Sequence, residues 1–461
     1  MTAPRPWVDD ANAALFTDLY ELTMLQTYLE KDLQEEAVFD LFIRRMPAKR
    51  NYLIACGLDD VLTYLETLSF SDDALGYLRS LDLFSPRLLD WLGTFRFQGD
   101  VYALAEGTPV FAAEPILQVV APLPEAQLIE TFALNQISFQ TLIASKAARV
   151  VTAAGDRTVV DFGLRRMHGT DAGMKAARAC YAVGITSTSN VLAGRVYGIP
   201  VSGTMAHSFV ESHDRELDAF RAFASIYPES ILLVDTYDTL EGVRNVVRLA
   251  RELGNGFRIR GVRLDSGDLA QLAVEARQIL DDAGLHGVGI FASGGLDEAS
   301  ITDLLARGAP ISGFGVGTRM GVSADQPYLD SVYKISAYAH TGRLKLAEGK
   351  ATLPGRKQVF RVEKENRASH DVIGLHDEPI AGRPLLAKVM EAGVRLPAGR
   401  VSLSEIRAHA KTALATLPKR LRSLRPADPP YDVRLSAGLQ AEMERLKKIK
   451  RPPPPGPRAD S

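Results

Sequence analysis

The chain has 461 residues and a mass of 50.2 kDa, long enough for about three domains of average size or one large barrel with appendages. Apolar residues make up 46% and charged residues 24%, which excludes a wholly disordered chain, a collagen and a disulfide-rich secreted scaffold. The formal net charge of −2 leaves no global basic field to draw the chain to nucleic acid or anionic lipid.

In chain order, residues 1–10 read as a polar arm. The start, MTAPRPWVDDANAALF, lacks a basic stretch followed by a continuous apolar run, so it is not read as a secretory signal. Residues 11–30 have helical spacing (Leu15, Leu19, Leu22, Leu25), with Thr17 or Asp18 as the N-cap. VFDLFIRRMP (38–47) is a strand candidate. Residues 58–92 hold helical patterns broken at Ser71 and at Ser85-Pro86, and FRFQGDVYALAEGTPVFAAEPILQVVAPLP (95–124) reads as short strands between Gly and Pro turns. Cys56 and Cys180, the two cysteines, lack metal-ligand or CxxC spacing, and so few thiols in so long a chain fit a reducing, cytoplasmic compartment. No window approaches the roughly 20 apolar residues that span a bilayer.

From about residue 126 the texture changes. A long helix is predicted through 129–155. Six apolar runs follow, each ending in a polar or Gly-rich turn: VVDFGLRR, GIPVSGTMAH, ILLVDTYDT, IRGVRLDSGD, VGIFASGG and ISGFGVGT. Helical stretches separate most of them, the pattern of parallel strands with crossover helices, and the succession favours a (β/α) barrel over an open doubly wound sheet. Residues 330–400 return to strand and turn texture. The Pro-rich tail, KKIKRPPPPGPRADS, is expected to be disordered or polyproline-like.

In a parallel barrel the chemistry sits at the C-terminal ends of the strands. The turns there carry Arg165, Arg166, His168, Thr204, His207, Asp235, Asp238, Arg263, Asp265, Ser266, Asp268, Ser293 and Thr318 among glycines, a set suited to a polyanion with a metal ion. ASGG (292–295) and GVGT (315–318) let backbone N–H groups approach an oxyanion; either alone reads more readily as a tight turn, but two at successive strand ends favour the phosphate site. In LDSGD (264–268), Asp265 stands at a strand end, suited to Mg²⁺ or a ribose diol, whereas Asp268 also fits a plain helix cap. Arg165 and Arg166 suit phosphate or carboxylate oxygens, the alternative being surface ion pairs. Phe162 is a core residue or a platform for a flat heterocycle. His207 faces the same rim as a base, a metal ligand or a nucleophile toward phosphorus. No rim lysine stands out for a Schiff base, and GxxxxGK[ST] is absent.

Assembled, these residues resemble the nicotinate phosphoribosyltransferases, a type II phosphoribosyltransferase family. The matching segments include TDLYELTM (17–24), FDLFIRRMP (39–47), DFGLRRMHGTDA (161–172), TSNVLAGRVYGIPVSGTMAHSFV (188–210), DTYDT (235–239), GVRLDSGDL (261–269), FASGGLDE (291–298), GFGVGT (313–318) and LPGRKQVFR (353–361), in the family's order. The resemblance implies the reaction of nicotinate with 5-phosphoribosyl-1-pyrophosphate to nicotinate mononucleotide and pyrophosphate, coupled to ATP hydrolysis with Mg²⁺, the step that brings nicotinate into NAD biosynthesis. It implies an irregular (β/α) barrel, a flanking α+β domain built from the N- and C-terminal segments, and a homodimer with the active site at the interface. The expected division is 1–125, an N-terminal α+β domain; 126–345, the catalytic barrel; 346–445, a C-terminal segment packing on the first; and 446–461, a disordered tail.

Roles carried over by motif are these. His207 is the histidine phosphorylated by ATP. Ser293, Gly294, Gly295, Gly315, Gly317 and Thr318 form the 5′-phosphate cradle. Asp265 binds ribose, with Arg263, Ser266, Gly267 and Asp268 beside it. Phe162 and Tyr20 stack on the pyridine ring, Tyr20 arriving from a neighbouring subunit. Arg165 and Arg166 are anion ligands, and Thr204 and Ser208 flank His207. Ser189 and Asn190 stand where nicotinamide-using relatives carry an acid, which favours the acid substrate over the amide. The rival readings are a nicotinamide or quinolinate phosphoribosyltransferase, a phosphate-binding barrel aldolase or isomerase, and a catalytically silent ligand-binding relative.

Overall fold

The computed structural model describes residues 8–347 and 352–450. They divide into two compact units, one formed by the chain up to Thr141 together with the chain from Tyr328 onward, the other by Leu142–Pro327. The second unit is narrower at both ends than the expected 126–345. At its C-terminal end the reason lies in the first unit's sheet, which takes Ser331–Tyr338 as the antiparallel neighbour of Glu36–Ile43. The segment beyond 346 falls in the first unit with the N-terminal residues. The helix Ala437–Lys450 carries regular structure past residue 446; the rest of the expected tail lies outside the described residues, as do residues 1–7 of the polar arm.

In the first unit, Glu36–Ile43 is an interior strand of a seven-stranded sheet, with Pro115–Pro122 and Asp100–Leu104 on one side of it and Ser331–Tyr338 on the other. Glu36–Ile43 is buried along nearly all its length. Its one buried acid, Asp40, is balanced by the equally buried Lys357 at 2.7 Å and by the Gln118 amide, which donates at 2.7 Å. Helices start where short hydroxyl side chains cap them: Ser71 accepts from the Ala74 N–H and Ser85 from the Leu88 N–H, with Pro86 in the first turn. The single helix expected over 11–30 is instead a 3₁₀ turn at Ala13–Leu15 and a helix at Leu19–Glu30, because Asp18 is extended and its carboxylate accepts from Thr131 Oγ1 rather than capping its own helix.

In the second unit, six parallel strands lie in the order Ser187–Thr188, Thr158–Asp161, Gly313–Val316, Gly289–Ala292, Gly261–Leu264, Ile231–Leu233. The last strand in sequence, Gly313–Val316, pairs with the first, Thr158–Asp161, which an open doubly wound sheet would not require. The order is that of a barrel with a seam between Ser187–Thr188 and Ile231–Leu233. A parallel bridge from Thr188 to Val201 covers the first edge of this seam. The barrel is irregular for that reason. Its strands read as apolar runs because both faces are covered: Val159, Val160, Leu232, Leu233, Val262, Leu264, Ile290, Ala292, Phe314 and Val316 are all buried. Among the described residues no helix is long and apolar enough to cross a membrane. Cys56 and Cys180 are both buried.

Candidate active site

The strand ends of the second unit open on a cleft of about 670 Å³. Fifteen of the residues expected from sequence line it: Phe162, Arg165, Arg166, Ser189, Thr204, His207, Ser208, Arg263, Asp265, Ser293, Gly294, Gly295, Gly315, Gly317 and Thr318. Leu164, Gly203, Met205 and Ala206 complete the wall.

The glycine loops are there because nothing larger fits. Gly294 has φ +91°, and a Cβ would come within 1.9 Å of the Asp265 carbonyl oxygen. The ASGG loop therefore lies directly on the LDSGD turn, and Ser293 Oγ donates to Asp265 Oδ1 at 2.5 Å. A Cβ on Gly315 would enter the Phe162 ring at 2.5 Å, and one on Gly317 would meet the Phe162 carbonyl at 2.9 Å. Phe162 is thus seated on the GVGT loop, its N–H donating to the Val316 carbonyl at 2.8 Å. Above the ring, the Arg263 guanidinium carbon stands 5.8 Å from the centroid.

Arg263 also reaches the His207 loop, Nη2 donating to the Met205 carbonyl at 3.1 Å, while its buried Nε has no partner. Burial pulls this guanidinium's pKa down, and Asp265 and Asp235 oppose that pull. His207 opens the short helix His207–Glu211, with Nδ1 3.1 Å from Thr236 Oγ1 across the seam. The tether leaves the other ring nitrogen for chemistry. Arg165 and Arg166 sit in the exposed 3₁₀ turn Leu164–Arg166, and among the described residues no ion pair engages either, against the surface-pair alternative.

Four expected residues do not line the cleft. Ser266 turns its hydroxyl to Asp235 Oδ2 at 2.7 Å, the same oxygen that accepts the Asp265 N–H at 2.8 Å. Gly267 serves the turn with φ +80°. Asp268 caps the helix Leu269–Asp282 and pairs with Arg307 at 2.8 Å, the plain reading of that acid. Tyr20 belongs to the first unit, exposed in the first turn of Leu19–Glu30. Of the further rim candidates, Asp238 is the N-cap of Thr239–Leu253. Sequence reasoning missed Asp161, the acid that ends the first barrel strand and lies buried under the cleft; a carboxylate closing the run VVD was its signal. It also passed over Thr236.

Models of the nicotinate phosphoribosyltransferase (NAPRTase) N-terminal domain and of the NAPRTase family match residues 15–138 and 158–369. The chain belongs to the nicotinate phosphoribosyltransferase family. It is 51% identical over 434 residues to a nicotinate phosphoribosyltransferase of Mycobacterium tuberculosis, covering 94% of each chain, and 42% identical to that of Bacillus subtilis over 80% of this chain and 78% of the relative. The crystal structure of human nicotinic acid phosphoribosyltransferase superposes with a TM-score of 0.84 at 31% identity, over 93% of this chain and 99% of that one. A nicotinate-nucleotide pyrophosphorylase from Pyrococcus furiosus gives a TM-score of 0.73 at 25% identity, over 90% of this chain and 99% of that one. Membership makes the chain an enzyme, a nicotinate phosphoribosyltransferase of NAD biosynthesis, and sets aside the aldolase and silent-relative readings.

Proposed function

We propose that this cleft joins nicotinate to 5-phosphoribosyl-1-pyrophosphate and does so with a phosphohistidine at His207 coupled to ATP. The observation that carries the reading is convergence: two glycine loops, an aromatic ring under a guanidinium, an acid and an imidazole meet in one cavity. Backbone N–H groups of the 293–295 and 315–318 loops hold the 5′-phosphate. Asp265, fixed by Ser293 and Asp235, takes the ribose hydroxyls. Phe162 stacks on the pyridine ring, and the partner subunit's Tyr20 closes over it in a homodimer. Arg165 and Arg166 meet the carboxylate and pyrophosphate oxygens, bidentate where the geometry allows.

Mg²⁺ fits this donor set as an ion carried largely by substrate phosphates: among the described residues no cluster of three or more ligating side chains forms a resident site, but Asp265 and the buried, unpartnered Asp235 Oδ1 stand ready beside it. Bound there, the ion would take up negative charge on the leaving group. The protein's own part is positional and electrostatic. The ring platform aims the pyridine nitrogen at C1, and fixed guanidinium groups stabilise the departing pyrophosphate. Phosphorylation of His207 adds charge beside the pyrophosphate position and drives the equilibrium by differential binding. We place the reaction in the cytoplasm, the compartment that two cysteines in so long a chain suit.

Labelled ATP tests the coupling. An acid-labile phosphoenzyme is expected that discharges on adding nicotinate and the sugar pyrophosphate. His207→Ala is expected to abolish both label and ATP hydrolysis while leaving slow uncoupled transfer; undiminished ATP hydrolysis in this variant contradicts the role.

A further inference from the structure

Asp161 does not line the cleft, yet three hydrogen bonds converge on it. Its Oδ1 accepts the Gly163 N–H at 2.9 Å, its Oδ2 accepts the Thr188 hydroxyl at 2.8 Å, and its carbonyl accepts the Ser189 N–H at 2.9 Å. Gly163 lies between Phe162 and the Leu164–Arg166 turn. Ser189 is the next cleft wall, on the adjoining strand end. Thr188 Oγ1 in turn accepts the Asn190 N–H at 3.1 Å, and the Thr188 main chain exchanges hydrogen bonds with Pro200 and Ser202, where the His207 loop begins. Asp161 and Thr188 are both almost wholly buried. A buried carboxylate at a barrel strand end is costly unless satisfied, and here Gly163, Thr188 and Ser189, which satisfy Asp161, all belong to segments that carry cleft residues.

We infer that Asp161 is a positioning residue, with Thr188 as its clamp: together they lock the Phe162–Arg166 turn to the Ser189 strand end and thereby set the width of the subsite that takes the heteroaromatic acid. The inference rests on the proposed nicotinate reaction for the identity of that acid. The carboxylate form is the one that works, because accepting from both Gly163 and Thr188 takes two acceptor oxygens. Burial works against that form by raising the Asp161 pKa, and the Gly163 and Thr188 donors counter it. A small misplacement of the ring platform is enough to be visible in kinetics, since the platform determines the approach of nitrogen to C1.

The test uses the full chain and initial-rate kinetics with both substrates varied. Thr188→Val removes the hydroxyl at nearly constant volume and is expected to raise the KM for nicotinate roughly tenfold or more, with the KM for the phosphoribosyl donor little changed. Thr188→Ser keeps the hydroxyl and is expected to return the nicotinate KM close to wild type. Asp161→Asn, which accepts from Gly163 but presents an N–H to Thr188, is expected to fall between, and serves if Thr188→Val does not fold. A nicotinate KM unmoved in both Thr188→Val and Asp161→Asn overturns the positioning role while leaving the function intact. So does an equal rise in both KM values that Thr188→Ser does not rescue. A wild-type enzyme that leaves nicotinate unused overturns the functional reading, and the inference with it.

Discussion

Gly294 shows how a single residue joins two parts of the site. The space a side chain would need is filled by the Asp265 carbonyl, and the backbone stands in the left-handed region. Gly294→Ala is therefore expected to cost about 2–4 kcal/mol of stability and most of the activity, with the loss expressed in the KM for the phosphoribosyl donor. A melting curve and initial rates check both. An alanine variant with wild-type melting and kinetics would show that the loop does not rest on Asp265. Glycines were legible in the sequence because their composition announces a turn, but what each one avoids was not. Gly295 faces open space whereas Gly294 faces a carbonyl, and no local pattern distinguishes the two. Asp161 escaped for a similar reason. A buried acid at the end of a strand looks like the first residue of a loop until its donors are seen to come from Gly163 and Thr188.

At the scale of elements, each strand-turn-helix unit was readable because a strand buried on both faces must be apolar and the turn after it must not be. The chemistry of the turns was more ambiguous. Asp268 offers the same carboxylate to a ribose diol as to two helix N–H groups, and the structure gives it to Ala270, Gln271 and Arg307. Asp268→Ala is expected to cost about 1 kcal/mol through the lost cap. Its kcat and both KM values should stay at wild type; a rise in the KM for the phosphoribosyl donor would return Asp268 to the ribose site. The seam of the barrel was not readable at all. It depends on Val201 pairing with Thr188 and on Thr236 meeting His207, contacts whose partners lie outside any local window.

For the whole molecule, what stayed hidden was the long-range closure of the first sheet. Residues near 335 complete a sheet begun near 40, and nothing in either strand's periodicity names the other. That unit also carries a readable pH response. Burial pushes the Glu21 carboxyl up from 4.5 to about 7, opposed by the Gln127 amide that donates to it at 2.7 Å. A buried acid whose folded pKa lies above its unfolded value binds more protons when folded, so stability falls as pH rises from about 4.5 through about 7 and then levels off. Glu21→Gln is expected to flatten the curve in that window. Denaturant midpoints across pH measure this, and an unchanged slope in the variant would remove Glu21 as its source.

The central claim is that one cavity in the barrel unit takes a phosphorylated ribose against an aromatic acid. Consumption of nicotinate, nicotinamide and quinolinate, each offered separately with 5-phosphoribosyl-1-pyrophosphate, ATP and Mg²⁺, tests it most directly, and following the acceptor is needed because transfer to quinolinate with decarboxylation also yields nicotinate mononucleotide. Rapid use of nicotinate, with the other two left largely untouched, is the result the structure leads to. Consumption of nicotinamide or quinolinate while nicotinate stays intact would contradict it.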